Sequence, residues 1–197
     1  MERDEALTLV RRYVASPSHI TQVAPAVQPL RPFGPTRSFA TAAIMKRVAE
    51  HLDEDAGTWE VIGLLHDIDY DLVEGDMERH GIEGYRILIE NGVPEEIAGI
   101  VRRHNHLLTS GYGRPVEIAL QAADSASGLL IACALVKGGA IDAVTPRTMK
   151  KKFKEKSFAA GCERHRIRLI ESLMDMDTFY RLPIDGLMEV RGDIGFA

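Results

Sequence analysis

The feature that most constrains this chain is a stretch from Trp59 to Asp67 that is apolar on nearly every side and ends in an adjacent histidine and aspartate. A helix that is hydrophobic around its whole circumference has to be surrounded by other structure. His66 and Asp67 are therefore predicted to end a buried central helix. An imidazole and a carboxylate are costly to hold in apolar surroundings without a partner, and a divalent cation satisfies both. The sequence thus predicts a packed helical core with a metal site at its centre.

The rest of the chain shows the residue spacing of helices, and strand signals are almost absent. Helices are predicted over Arg3 to Val14, Thr36 to about Leu52, Trp59 to Asp67, Gly81 to Glu90, Pro94 to about His104, Pro115 to Val136, Glu163 to Met174 and Asp177 to about Val190. Asp177 is the predicted N-cap of the last helix, which Pro183 should break or kink. We predict one all-α domain with an N-terminal helix (residues 1–15), a proline-rich loop (16–36) and a helical core with C-terminal helices (37–197).

Composition excludes several classes of protein. The 197 residues, of which 45% are hydrophobic and 27% charged, are enough for one sizeable core. The formal net charge of -5 gives no general attraction to nucleic acid, so nucleic acid is not an expected partner. Cys133 and Cys162 show no CxxC spacing, and neither a signal segment nor an apolar run of about 20 residues is present. We expect a cytoplasmic protein with no membrane partner.

Four more residues with metal-ligand chemistry lie on or near other predicted helices. His104 continues the apolar face of its helix, and Asp124 is a carboxylate on the apolar face of the next one, where it needs a cation or hydrogen-bond donors. Each residue alone has an ordinary explanation: His80 as a surface residue, His106 as a solvated residue near a helix end, and Asp124 as a hydrogen-bonded core acid. Together with the His-Asp pair they indicate one shared metal site.

The spacing of His104 and His106 sets a condition on that site. Residues two apart do not face each other on a regular helix, so both can bind the same centre only if the helix ends there. The glycines and the proline of residues 109–115 support such an ending.

The order of these residues resembles the HD-domain superfamily of metal-dependent phosphohydrolases. The resemblance rests on the His66-Asp67 pair, His80 before a glycine-containing helix, the His104-Asn105-His106 cluster and Ala122-Ala123-Asp124. From Leu64 to Phe158 the chain is similar to small uncharacterised bacterial and archaeal HD-domain proteins, whose tails also carry a lysine-rich segment followed by Ser-Phe-Ala-Ala-Gly. The resemblance implies a single HD-type helical domain whose central helix carries the His-Asp pair.

The resemblance also implies one or two divalent ions, with Mn, Fe, Mg, Ni and Zn as candidates. It makes His66 and Asp67 central ligands, with Asp67 bridging when two ions bind, and it makes Asp124 the closing carboxylate of the first site. In members with two ions, the residues that match His80, His104 and His106 hold the second ion.

Two positions depart from the family pattern. Members begin the ligand set with a histidine on the first core helix, where this chain has Arg37, and arginine cannot donate a lone pair to a metal. Arg37 is either a fixed cation in place of the first metal or a clamp for a substrate phosphate, unless the alignment differs and His19 or His51 supplies the missing ligand. Asp69 stands where family members carry glycine after the His-Asp-Ile triplet.

The leading hypothesis is an HD-domain phosphohydrolase that acts on a small phosphate ester or nucleotide, with Asp67 and Arg37 in catalysis. Arg37 and Lys152 are the predicted contacts to this small phosphorylated molecule, although the basic run around Lys152 is also explained as a solvated helix face. One alternative is a non-catalytic HD-like binding or regulatory protein whose metal site Arg37 has degraded. Another is an HD-fold di-iron oxygenase, which needs both metal sites intact. Association into a homo-oligomer is compatible with the sequence, which fixes neither the substrate nor the metal.

Overall fold

The computed structural model of the protein describes residues 1–14 and 34–196, and within these ranges it is all helical. The helices are α1 (Arg3–Tyr13), α2 (Gly34–His51), α3 (Ala56–Leu65), α4 (Ile82–Glu90), α5 (Glu95–Arg103), α6 (Pro115–Leu135), α7 (Pro146–Lys154), α8 (Arg164–Arg168), α9 (Met176–Phe179) and α10 (Leu182–Val190), with a 3-10 segment at Leu169–Ser172. The all-α prediction is confirmed for the part of the chain described.

The N-terminal half follows the predicted helix bounds to within a few residues. The predicted proline-rich loop is the exception, because residues 34–36 already belong to α2 and residues 15–33 lie outside the described ranges. The helix α7 was not predicted. It begins after Thr145, whose side chain accepts a hydrogen bond from the Thr148 backbone N–H, and it has Pro146 in its first turn.

The C-terminal prediction needs two corrections. The helix expected over 163–174 is the short α8 followed by the 3-10 segment. The prediction of Asp177 as an N-cap was wrong, since the side chain of Asp175 accepts the hydrogen bond from the Thr178 backbone N–H and begins α9. Pro183 does break this region as predicted: it lies in the first turn of α10, where a missing N–H leaves no hydrogen bond unmade.

The core is built around α3 and α6. The helix α2 packs against α3, α6 and α10, while α1 and α5 contact α3, and α8 contacts α6. The helix α6 is buried along nearly its whole length. Its length and average hydropathy would allow it to cross a membrane, although polar residues interrupt its apolar sequence, and 78% of its most apolar window is buried inside this fold, as in the core helix of a globular domain. These contacts bring the ends of α2, α3 and α5 to the middle of α6.

Gly63 sets the close approach of α2 and α3 that positions the His-Asp pair. A Cβ atom on Gly63 would lie 2.6 Å from the Cα atom of Ala42, whereas a Cβ atom on Gly99 in α5 would meet nothing within 4 Å. We expect Gly63→Ala to lower the free energy of unfolding by about 1–3 kcal/mol through overpacking. Gly99→Ala should instead raise it by about 0.5–1 kcal/mol through helix propensity. Urea denaturation of both variants measures the difference, and equal effects would contradict the close approach.

Candidate metal centre

His66 is presented to the interior by the C-terminal end of α3. Its Nδ1 atom lies 2.8 Å from the Gly63 carbonyl oxygen, which can only accept, so Nδ1 donates. Its Nε2 atom is buried and makes no hydrogen bond, although it lies 3.1 Å from Asp67 Oδ2 and 3.5 Å from Asp124 Oδ1. His66, Asp67 and Asp124 each offer one ligand atom, and these three atoms are close enough to share one ion. We call these three residues the first group.

His80 and His104 approach from the turn before α4 and from the C-terminal end of α5. The Nδ1 atom of His80 lies 2.9 Å from Asp69 Oδ1, and that of His104 donates to the Val101 carbonyl oxygen. Asn105 joins the two segments, because its Nδ2 atom donates to the His80 carbonyl oxygen at 2.9 Å. Both rings therefore use Nδ1 for support and present Nε2 to the site, which is the arrangement that orients metal-binding histidines.

The Nε2 atoms of His80 and His104 converge on Asp67. They are 3.0 Å apart, and each lies 3.4 Å from Asp67 Oδ1. Asp67, His80 and His104 are the second group of atoms able to share one ion. Its two imidazoles and one carboxylate suit divalent transition metals.

Distances within the second group test whether an ion fits. A circle through Asp67 Oδ1, His80 Nε2 and His104 Nε2 has a radius of about 1.9 Å. An ion at its centre would be at nearly the ~2.0–2.1 Å of metal–nitrogen bonds from each atom. Without an ion, the arrangement needs a proton between the rings. Burial lowers the pKa of His80, but Asp67 and Asp69 raise it to about 9, so His80 can donate to His104, whose pKa is lowered by burial. An ion bound here would take the place of that proton.

Asp69 is a supporting residue that the sequence analysis noted only as a departure from glycine. It is fully buried and accepts hydrogen bonds from His80 Nδ1, from the Gly81 N–H at 2.7 Å and from the Gly84 N–H at 2.8 Å. A Cβ atom on Gly84 would lie only 3.1 Å from the carboxylate carbon of Asp69. The carboxylate thus fixes the His80 ring to the start of α4. No signal in the sequence separates Asp69 from the neighbouring acids Asp67 and Asp71.

Asp69→Asn should weaken ion binding at the second group by ~10–100-fold. An amide has one accepting atom, so its NH2 group must face either the His80 N–H or the two backbone N–H groups of Gly81 and Gly84. Calorimetric titration with Mn²⁺ measures the change. Asp76→Asn, which alters an exposed carboxylate that accepts a bond from Glu78, is the matched control. Equal affinity in the two variants would remove Asp69 from the support of the site.

Arg37 reaches the first group from the first turns of α2. Its Nη2 atom donates to Asp124 Oδ1, and its Nε atom is 3.8 Å from Asp67 Oδ2. These are the two carboxylate oxygens that face His66 Nε2. The charge of Asp124 is the main cause that raises the pKa of Arg37, so the guanidinium is a permanent cation. Burial lowers the pKa of His66, but Asp67 and Asp124 raise it to about 10. In the absence of metal, Arg37 and His66 thus place positive charge beside the Asp67 and Asp124 carboxylates.

Comparison with protein families finds the HD domain at residues 36–131, which include most of α2 through α6. Residues 36–131 are an HD domain. The match confirms the resemblance for residues 36–131, and the HD domain is typical of a superfamily of metal-dependent, phosphohydrolase-type proteins that bind divalent ions. No curated protein matches the chain.

Arg166 is a second arginine at the centre, and it lies beyond the HD domain match. Its side chain is only 8% exposed, with Nη2 2.8 Å from Asp124 Oδ2 and Nε 2.7 Å from Gln121 Oε1. Both oxygens of Asp124 therefore accept from guanidinium groups. Burial raises the pKa of Asp124, but Arg37, His66 and Arg166 hold it well below its ordinary value. Nothing in the periodicity of the basic tail singled out Arg166.

The remaining predicted site residues lie outside both groups of the HD domain. His106 was predicted as a second-site ligand, but its Nε2 atom is 3.1 Å from Glu163 Oε2. The helix does end before it as required, and the following turn directs His106 to the C-terminal segment. Lys152 was predicted to contact substrate, but its Nζ atom is 2.7 Å from Glu155 Oε2 and lies over the Phe158 ring. His51 is exposed at the end of α2, and His19 lies outside the described residues.

Proposed function

We propose that this HD domain is a phosphohydrolase that works with one divalent ion, held by Asp67, His80 and His104, and with the Arg37 guanidinium in place of a second ion. The observation that carries the proposal is the position of Arg37. It contacts the first-group oxygens of Asp67 and Asp124, while the second group keeps three atoms at distances that suit a metal. One cation is therefore built into the chain and one is left to be bound.

The substrate we propose is a small phosphate ester or nucleotide. The Arg37 side chain is 42% exposed, and among the described residues only Asp124 accepts a hydrogen bond from it. N–H donors thus remain for the oxygens of a phosphate, which a guanidinium binds in bidentate geometry. A bound divalent ion polarises a phosphoryl oxygen and lowers the pKa of a water. Arg37 orients the phosphate, and Asp67 fixes the spacing between Arg37 and the two histidines.

A non-catalytic binding protein is the second candidate, and a specific contact favours it. Both oxygens of Asp124 are bonded to arginines, so this carboxylate of the first group is satisfied without any metal. A di-iron oxygenase is less favoured, because Arg37 lies on the oxygens that a first iron would need.

Metal content and turnover distinguish these functions. The full chain is expressed in media supplemented with Mn, Fe, Ni, Zn or Mg, purified and analysed for elements, and then assayed with phosphomonoesters and nucleotides. We expect one transition-metal ion per chain and hydrolysis that a chelator abolishes. A protein without stoichiometric metal and without turnover would instead be the binding protein. Two iron ions with an oxo-bridged absorption band would support the oxygenase.

A further inference from the structure

We infer that Arg166, like Arg37, limits the centre to one ion. Its charge excludes a metal ion from the first group even when Arg37 is replaced. The inference rests on the proposed one-ion function and extends it to a residue outside the HD domain match. Arg166 comes from α8, whereas every member of the two ligand groups lies between residues 66 and 124.

The guanidinium of Arg166 is held in one position by its partners. Nη2 donates to Asp124 Oδ2 and Nε donates to Gln121 Oε1, while Nη1 is 3.5 Å from Glu163 Oε2. A buried, planar group that is bonded along two edges cannot move aside without leaving acceptors unpaired. Its charge is therefore a permanent part of the surroundings of Asp124.

The charge of Asp124 decides whether the first group can bind an ion. Asp67 contacts both groups, so an ion in the second group already uses its charge. Asp124 is the carboxylate that belongs to the first group alone, and Arg166 neutralises it at 2.8 Å. A divalent ion placed beside Asp124 Oδ1 would face this buried guanidinium across a single carboxylate, where repulsion is screened little by solvent. Replacing Arg37 alone leaves that repulsion in place.

Arg166 also connects Asp124 with the second group, through Gln121. The Gln121 Nε2 atom donates to the His104 carbonyl oxygen at 2.7 Å, and its Oε1 atom accepts from Arg166. A variant at position 166 therefore needs a comparison that separates lost charge from lost support. Lysine keeps the charge but loses the planar fork, whereas glutamine loses the charge.

Titration with Mn²⁺, followed by electron paramagnetic resonance and by calorimetry, tests the inference. Wild type and Arg166→Gln should each bind one ion. Arg37→His, which supplies an imidazole, should bind a second ion only weakly, and the Arg37→His/Arg166→Gln double variant should bind it ~10–100-fold more tightly. The Arg37→His/Arg166→Lys variant should resemble Arg37→His. Arg168, which is exposed and paired with Glu171, gives the control Arg37→His/Arg168→Gln.

Three results would overturn the inference. In the first, Arg37→His binds a second ion as tightly as Arg37→His/Arg166→Gln does. In the second, Arg37→His/Arg166→Lys binds it as tightly as Arg37→His/Arg166→Gln. In the third, no variant binds a second ion. Failure of the proposed function is distinguishable, because wild type would then bind no ion or would bind one without hydrolysis. Thermal melting of each apo variant confirms that the comparison is made between folded proteins.

Discussion

Asp67→Asn is expected to remove the bound ion and to lower hydrolysis by at least ~10³-fold. One carboxylate serves the whole centre: Oδ1 lies 3.4 Å from the Nε2 atoms of both His80 and His104, and Oδ2 faces His66 and Arg37. Burial raises the pKa of Asp67, but the charges of His66 and Arg37 hold it well below its ordinary value, so the group is ionised. An amide has the same shape and no charge, and it can present only one accepting atom.

Elemental analysis and a phosphomonoester assay measure both expected losses in Asp67→Asn. Asp142→Asn, a change of an exposed carboxylate outside the centre, should leave ion content and rate unchanged. If Asp67→Asn kept one ion and the wild-type rate, the second group would not be the metal site.

The buried helices could be predicted from the sequence because their signal is local. The helix α3 is apolar on nearly every side, so it has almost no polar face to expose, and residue spacing alone shows this. The C-terminal segment lacked such a signal. Asp175 and Asp177 are both capping residues by type, and only the position of the Thr178 N–H decides between them.

Two members of the metal groups, His104 and Asp124, were also predictable from the apolar faces of their helices, and His66 and Asp67 from the end of an apolar helix, whereas His80 was placed by its ligand chemistry and by the family resemblance. Spacing indicates which face a histidine or aspartate occupies, and burial of that face brings such residues together. The direction of His106 could not be predicted from helical spacing, because this residue lies beyond the end of α5.

The residues that support the centre could not be found in this way. Arg166 meets Asp124 across 42 positions of sequence, and it does so from a short helix in a basic segment. Asp69 meets two backbone N–H groups whose positions depend on the turn before α4. Such contacts are set by tertiary packing, and no local pattern encodes them.

Arg37→Gln is expected to lower kcat/KM for a phosphomonoester by ~10²–10³-fold while one ion per chain stays bound. The change removes the cation that contacts Asp67 and Asp124, but it leaves Asp67, His80 and His104 intact. Asp124 keeps its bond to Arg166, so no buried carboxylate is left without a partner and the fold is retained. Steady-state kinetics and elemental analysis measure the two quantities, with the exposed Arg86→Gln as the control.

Arg37→Lys separates the charge of Arg37 from its shape. An ammonium group supplies the same charge as a point, without the fork that binds two phosphate oxygens, so the loss in kcat/KM should be smaller than in Arg37→Gln but still measurable. A wild-type rate in the lysine variant would mean that only charge is needed at the first group. A faster rate in Arg37→Gln would mean that the arginine blocks the site, which would contradict its proposed role as a phosphate contact.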